Sequence, residues 1–157
     1  MPSPLLVDLS KIDLNRIVVT REQIYQHLPH RYEFMQLDAF VFTDVPTQTA
    51  VAIREVRTDE FWVRGHIPGR PLLPGVLMIE TAAQMAAYVS NLIQPTDRFL
   101  GFGGVDQVKF RLAVTPPARL YFLLKGVEIR PRRIVCDVQA CIEGQLAFEG
   151  RITGMPV

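Results

Sequence analysis

The stretch from Val76 to Ile93 constrains the fold more than any other part of the chain. It is rich in Ala, Met and Leu, contains neither Gly nor Pro, and carries Glu80 as its only charged residue, which predicts a long helix that is apolar nearly all round. Such a helix has no solvent face and must be wrapped by other structure. Its length sits at the lower edge of the roughly 17 to 25 residues of a membrane span. Glu80, Thr81, Gln84, Ser90 and Asn91 would all be costly in lipid, so a protein core is the expected surrounding.

On either side the apolar period shortens towards two. Phe34 to Phe42, Thr47 to Arg57 and Phe61 to Arg64 read as strands before the helix; Phe99 to Phe102, Gln107 to Arg111, Arg119 to Arg130, Ile134 to Glu143 and Gln145 to Gly154 read as strands after it. Arg130-Pro131-Arg132 and Glu143-Gly144 are the expected turns of a closing meander. One buried helix between early and late strands implies an α+β domain, an antiparallel sheet curled around a central helix. A shorter helix precedes it. Thr20 and Gln23 form a capping-box pattern, Ile24, Tyr25 and Leu28 supply an apolar face, and Pro29 stops it before a loop at His30 to Glu33. Residues 1–19 form an N-terminal extension without clear period, and 20–157 read as one domain with no repeat or linker.

Charge excludes some partners. Seventeen Lys and Arg against sixteen Asp and Glu leave a net charge of +1, so no global field gathers nucleic acid or anionic membrane. Cys136 and Cys141 stand five apart in a strand, an odd spacing that sends them to opposite faces, and neither belongs to a metal-binding or Cys-x-x-Cys pattern. Unpaired, inert thiols and a cytoplasmic location are expected. Charges scattered through Met1 to Ile17 break any signal-peptide core.

The chemistry concentrates in Gly65 to Gln84. His66 stands in a Gly- and Pro-dense turn, read as directly following a strand, where the backbone is fixed and a ligand can approach. Glu80, one turn into the apolar helix, must be paired, pocket-lining or protonated, and Gln84 is a candidate for satisfying it. Gly75, after Pro74, would place a backbone N–H at the helix N-terminus, where the dipole favours developing negative charge; it could equally be a glycine that lets the chain turn. A base, an acid and an oxyanion donor together suit proton abstraction next to a carbonyl coupled to loss of a leaving group.

Gly65-His66-Ile67-Pro68-Gly69-Arg70-Pro71-Leu72-Leu73-Pro74-Gly75-Val76-Leu77-Met78-Ile79-Glu80, continued by Ala83-Gln84, resembles the signature of the FabZ-type 3-hydroxyacyl-acyl carrier protein dehydratases. Leu28-Pro29-His30-Arg31-Tyr32 resembles a second motif of that family, and Val105-Asp106-Gln107-Val108-Lys109-Phe110-Arg111 a third. The resemblance runs from about Thr20 to the C-terminus. It implies a hot-dog fold and a homodimer, often a trimer of dimers, with each active site taking His66 from one subunit and Glu80 from the other. It further implies fatty acid biosynthesis, no metal or cofactor, and a substrate presented on the phosphopantetheine of acyl carrier protein or coenzyme A. In that scheme His66 removes the C2 proton, the Gly75 N–H steadies the enolate, and Glu80 protonates the departing C3 hydroxyl. Glutamate at position 80, where related dehydratase-isomerases carry aspartate, favours simple dehydration. The sequence departs from the family at Glu33, Ala39 and Pro116-Pro117-Ala118, none of them a catalytic position.

By the same resemblance His30 lies near an acyl tunnel, or else only hydrogen-bonds a turn. Met78, Met85, Phe99 and Phe102 are candidate tunnel walls, or plain core. Lys109, Arg111, Arg130, Arg132 and Arg133 are the basic residues open to an acidic carrier, or a solvated face. A thioesterase using the same tunnel, and a non-catalytic acyl-binding partner subunit, are the rival readings.

Overall fold

The computed structural model describes residues 3–157. The apolar stretch forms helix α2, Gly75–Ile93, and the strands join one antiparallel sheet: β1 Val19–Thr20, β2 Ala39–Asp44, β3 Thr49–Val56, β4 Leu100–Phe110, β5 Ala118–Arg130, β6 Arg133–Ile142 and β7 Gln145–Pro156, in the order β1-β2-β3-β5-β6-β7-β4. Between β3 and β4 the chain must travel from one side of the sheet to its far edge, and α2 makes that crossing. Leu77, Met78, Ala82, Met85, Ala86 and Val89 of α2 share one core with Phe40, Phe122, Leu124, Phe148 and Ile152 of the sheet, so the helix is a core element, wrapped as its composition requires. The expected sheet curled around a central helix is present.

The short helix α1, Arg21–His27, carries the expected capping box: Thr20 accepts from the Gln23 N–H while Gln23 accepts from the Thr20 N–H. The extension also acquires a structural place. Leu6, Val7, Leu9, Ile12 and Leu14 pack on a second apolar cluster that includes Val41, Val51, Leu123 and Cys141, and Gln139 clamps the chain by accepting from the Leu6 N–H at 2.8 Å and donating to the Pro4 carbonyl at 2.9 Å. Cys136 belongs to the core beneath α2 and Cys141 to this second cluster, so they face opposite ways and stay unpaired. Burial pushes the Cys136 thiol up to about 12 and Cys141 to about 11, which keeps both protonated and unreactive.

Four expected strands differ. Phe61 to Arg64 is a turn, so His66 does not directly follow a strand: the Val63 N–H donates to the Glu60 carbonyl and the Gly65 and His66 N–H groups to the Trp62 carbonyl, curling the chain. Buried Arg54 anchors that curl with two hydrogen bonds to Glu60 at 2.7 and 2.8 Å. Phe34 to Asp38 is not strand either: the Phe34 and Met35 N–H groups close a short turn on the Arg31 and Tyr32 carbonyls, the Asp38 N–H bonds the Ile53 carbonyl of β3, and between them the backbone bonds side chains of the two helices. The Phe34 carbonyl accepts from Gln84, the Gln36 N–H donates to Gln84 and the Leu37 N–H donates to Tyr25. Conversely, the two strands expected between Phe99 and Arg111 are a single strand, β4, whose pairing with β7 shifts register at Phe102/Gly104 and Asp106/Lys109; two glycines and two bulges broke its sequence pattern.

Candidate active site

The loop before α2 is held by its own backbone. The Leu72 N–H donates to the His66 carbonyl at 2.9 Å, and the Leu73 N–H donates to the Val114 carbonyl at 2.9 Å. His66 Nδ1 lies 2.7 Å from the Leu72 carbonyl oxygen. A carbonyl can only accept, so this contact fixes Nδ1 as the protonated nitrogen and leaves the Nε2 lone pair free to take a proton. The His66 side chain is exposed and lines an open cavity of about 530 Å³ with Gly75, Met78 and Phe110.

Gly75 is the first residue of α2, where the N–H groups have no intrahelical acceptor. Its backbone does not need the left-handed region. What requires glycine is close approach: a Cβ there would come within 2.8 Å of the Phe110 ring. Glycine here is thus required by the packing of Phe110, a reason that neither sequence reading named. Phe110 was not singled out in the sequence, since an exposed aromatic on an edge strand has no spacing that marks it.

Glu80 faces elsewhere. It lines a small cavity of about 50 Å³ with His30, Phe99 and Phe102. Its Oε2 accepts from Gln84 Nε2 at 2.7 Å and lies 3.5 Å from His30 Nε2. Burial lowers the His30 pKa; the Glu80 carboxylate opposes that shift and Arg31 adds to it, so the ring is neutral at neutral pH. Its Nδ1 is buried without a hydrogen-bond partner among the described residues. The approach of His30 to Glu80 was not legible from spacing, because fifty residues and a change of element separate them. The Glu80 cavity adjoins a larger one of about 460 Å³, with which it shares His30, Ala87, Phe99, Leu100 and Ile134.

His66 and Gly75 thus share one cavity and Glu80 lines another. Of the four candidate wall residues, Phe99 and Phe102 lie beside Glu80, Met78 lies beside His66, and Met85 is fully buried in the core, lining neither cavity. Among the basic candidates, Arg111 is engaged by Glu149 at 2.6 Å, and Arg130 and Arg133 flank Glu128 at 3.3 and 2.7 Å. Arg132 and Lys109 are exposed, and Arg130 also lines the 460 Å³ cavity.

Residues 28–151 match the family model described as a FabA-like domain. The chain belongs to the FabA-like family. Among curated proteins it is 32% identical over 142 residues to the 3-hydroxyacyl-[acyl-carrier-protein] dehydratases FabZ of two strains of Lactococcus lactis subsp. cremoris, covering 89% of this chain and 96% of each relative. Solved structures confirm the hot-dog architecture. A dehydratase heterocomplex from Xenorhabdus doucetiae superposes with a TM-score of 0.70 at 17% identity, over 85% of this chain and 90% of that one. A mutant thioesterase from Pseudomonas aeruginosa gives 0.67 at 17% identity, over 92% and 100%. At such identities these two speak for the fold alone, and a fold shared by dehydratases and thioesterases leaves the reaction to the site.

Proposed function

We propose that this FabA-like chain removes water from 3-hydroxyacyl groups carried as thioesters on acyl carrier protein, yielding trans-2-enoyl thioesters for fatty acid biosynthesis. The activity is that of the FabZ dehydratases to which most of the chain is related. The observation that carries the reaction is the His66 tautomer: with Nδ1 spent on the Leu72 carbonyl, Nε2 is a base in an open cavity beside the N-terminus of α2.

In this reading the C2–H bond breaks towards His66 Nε2, and the Gly75 N–H stabilises charge developing on the thioester oxygen. The electron pair forms the C2–C3 double bond as the C3–O bond breaks, and Glu80 gives the proton that lets the hydroxyl leave as water. The cycle closes when the proton gained by His66 is passed, by way of water, to the Glu80 carboxylate that gave one up. No step needs a metal or cofactor. The substrate arrives on phosphopantetheine, with Phe99 and Phe102 beside Glu80 as tunnel walls, and the soluble protein works in the cytoplasm.

Separation of His66 from Glu80 within one chain supports a homodimer in which each site draws its base from one subunit and its acid from the other. So does the sheet edge. β4 is terminal in the sheet, and Phe102, Val105 and Phe110 on it are exposed, as is Val76 at 70% on the first turn of α2. A long, apolar, unpaired edge is a place where a second copy binds.

A thioesterase remains the competing reaction, because that activity occurs on the same fold. Incubation with a 3-hydroxyacyl thioester separates the two. Rising enoyl absorbance with no free thiol is expected, whereas free thiol without enoyl product would replace the dehydratase reading with hydrolysis.

A further inference from the structure

Gln84 makes four hydrogen bonds, all directional. Its Oε1 accepts from the Tyr25 hydroxyl at 2.6 Å and from the Gln36 N–H at 3.3 Å, while its Nε2 donates to the Phe34 carbonyl at 2.6 Å and to Glu80 Oε2 at 2.7 Å. An amide in this place has two orientations, related by exchanging oxygen and nitrogen, and they do opposite things to Glu80. With the nitrogen towards Glu80, Oε2 is occupied by a donor and a proton on the carboxyl must sit on Oε1. With the oxygen towards Glu80, a proton would be drawn onto Oε2, hydrogen-bonded to Gln84 and withheld from the substrate.

Tyr25, the Gln36 N–H and the Phe34 carbonyl together decide between them. The Tyr25 hydroxyl has one proton and accepts from the Leu37 N–H at 2.9 Å, so that proton is directed to Gln84. Burial pushes the phenol up to about 12, which keeps it a donor at any working pH. The Phe34 carbonyl, able only to accept, holds the other end of the amide. Gln84 and Tyr25 are both nine-tenths buried or more, and they come from different helices. Oε1 of Glu80 makes no hydrogen bond among the described residues.

We infer that Tyr25 is a positioning residue for the acid: through Gln84 it keeps a donor on Glu80 Oε2, so that the proton delivered to the leaving hydroxyl is carried on Oε1. This rests on the dehydratase reading, in which Glu80 is the acid. Tyr25 lines neither cavity beside Glu80 and acts through Gln84. The short helix α1 therefore serves the chemistry at one remove.

The test is steady-state dehydration by wild type, Tyr25→Phe, Gln84→Met and the double variant, each first verified as folded and of wild-type assembly state. Tyr25→Phe should lower kcat by about tenfold with KM within about twofold, because only the orientation of the acid is lost. Gln84→Met should lower kcat at least as much. Adding Tyr25→Phe to Gln84→Met should then cost nothing further, since the phenol no longer has anything to orient. A kcat for Tyr25→Phe within twofold of wild type, or losses that multiply in the double variant, would overturn the inference. Should Tyr25→Phe fail to fold, Tyr25→Met removes the hydroxyl and fills its place with a flexible apolar side chain; it should show the same selective loss of kcat, and an unaltered kcat would be equally fatal. Wild type that forms no enoyl product would dispose of the dehydratase reading, whereas active wild type beside an unimpaired Tyr25→Phe would dispose only of the role for Tyr25.

Discussion

The two halves of the proposed site are built in opposite ways. His66 sits on an irregular loop, exposed, in an open cavity, and its ring is oriented by a backbone carbonyl six residues on. Glu80 sits inside a long core helix beside a small cavity, and the Tyr25 hydroxyl and the backbone of Phe34 and Gln36 orient it through Gln84. The base is thus presented outwards while the acid is pre-arranged inwards. This contrast is what the proposed homodimer accounts for, with each copy supplying one half of a site.

The largest effect that would sharpen this contrast is loss of either group. His66→Ala or Glu80→Gln should each lower turnover by roughly 100-fold or more, equivalent to about 2.7 kcal/mol of transition-state stabilisation. Near-normal rates from both folded variants would remove the pair from the chemistry. A smaller effect belongs to the Glu80 side alone. Phe102→Ala enlarges the confined cavity next to the acid and should shift chain-length preference towards longer acyl groups by several-fold, measured as kcat/KM across a substrate series; an unchanged profile would take Phe102 off the tunnel wall. Smallest is the carrier contact. Arg130 lines the cavity adjoining the Glu80 pocket and shares the β5–β6 turn with Arg132 and Arg133. Alanine at Arg130 and Arg132 together should raise KM for carrier-bound substrate a few-fold, more at low salt, and leave a coenzyme A substrate unaffected. Equal effects on both substrates would point to packing rather than to carrier docking.

Legibility followed the same division. The α2 pattern, the capping box at Thr20 and the turn at Glu143-Gly144 are local, and each stands in the structure where the sequence puts it. Phe61 to Arg64 misled because four residues of alternation cannot reveal that a buried Arg54 bonds Glu60 and curls the chain. Phe34 to Asp38 misled because part of its hydrogen bonding goes to Gln84 and Tyr25, partners distant in sequence. In the candidate site, His66, Gly75 and Glu80 were singled out from residue type and setting. Phe110 over Gly75, His30 beside Glu80 and the hold of Tyr25 on Gln84 were not, since each depends on which elements the sheet brings together. Gln84 lay between: its spacing of four from Glu80 made the pair readable, but not the four bonds that fix its amide.

Whether the outward and inward halves meet across two subunits is open to one direct measurement. His66→Ala and Glu80→Gln proteins, each inactive, are unfolded together and reassembled at random. About half of the dimers are then mixed, and each mixed dimer holds one site with both groups intact and one with neither. The shared site predicts recovery of roughly a quarter of wild-type activity. Activity that stays near zero, with mixed dimers verified by mass, would place both residues in one chain and contradict the account.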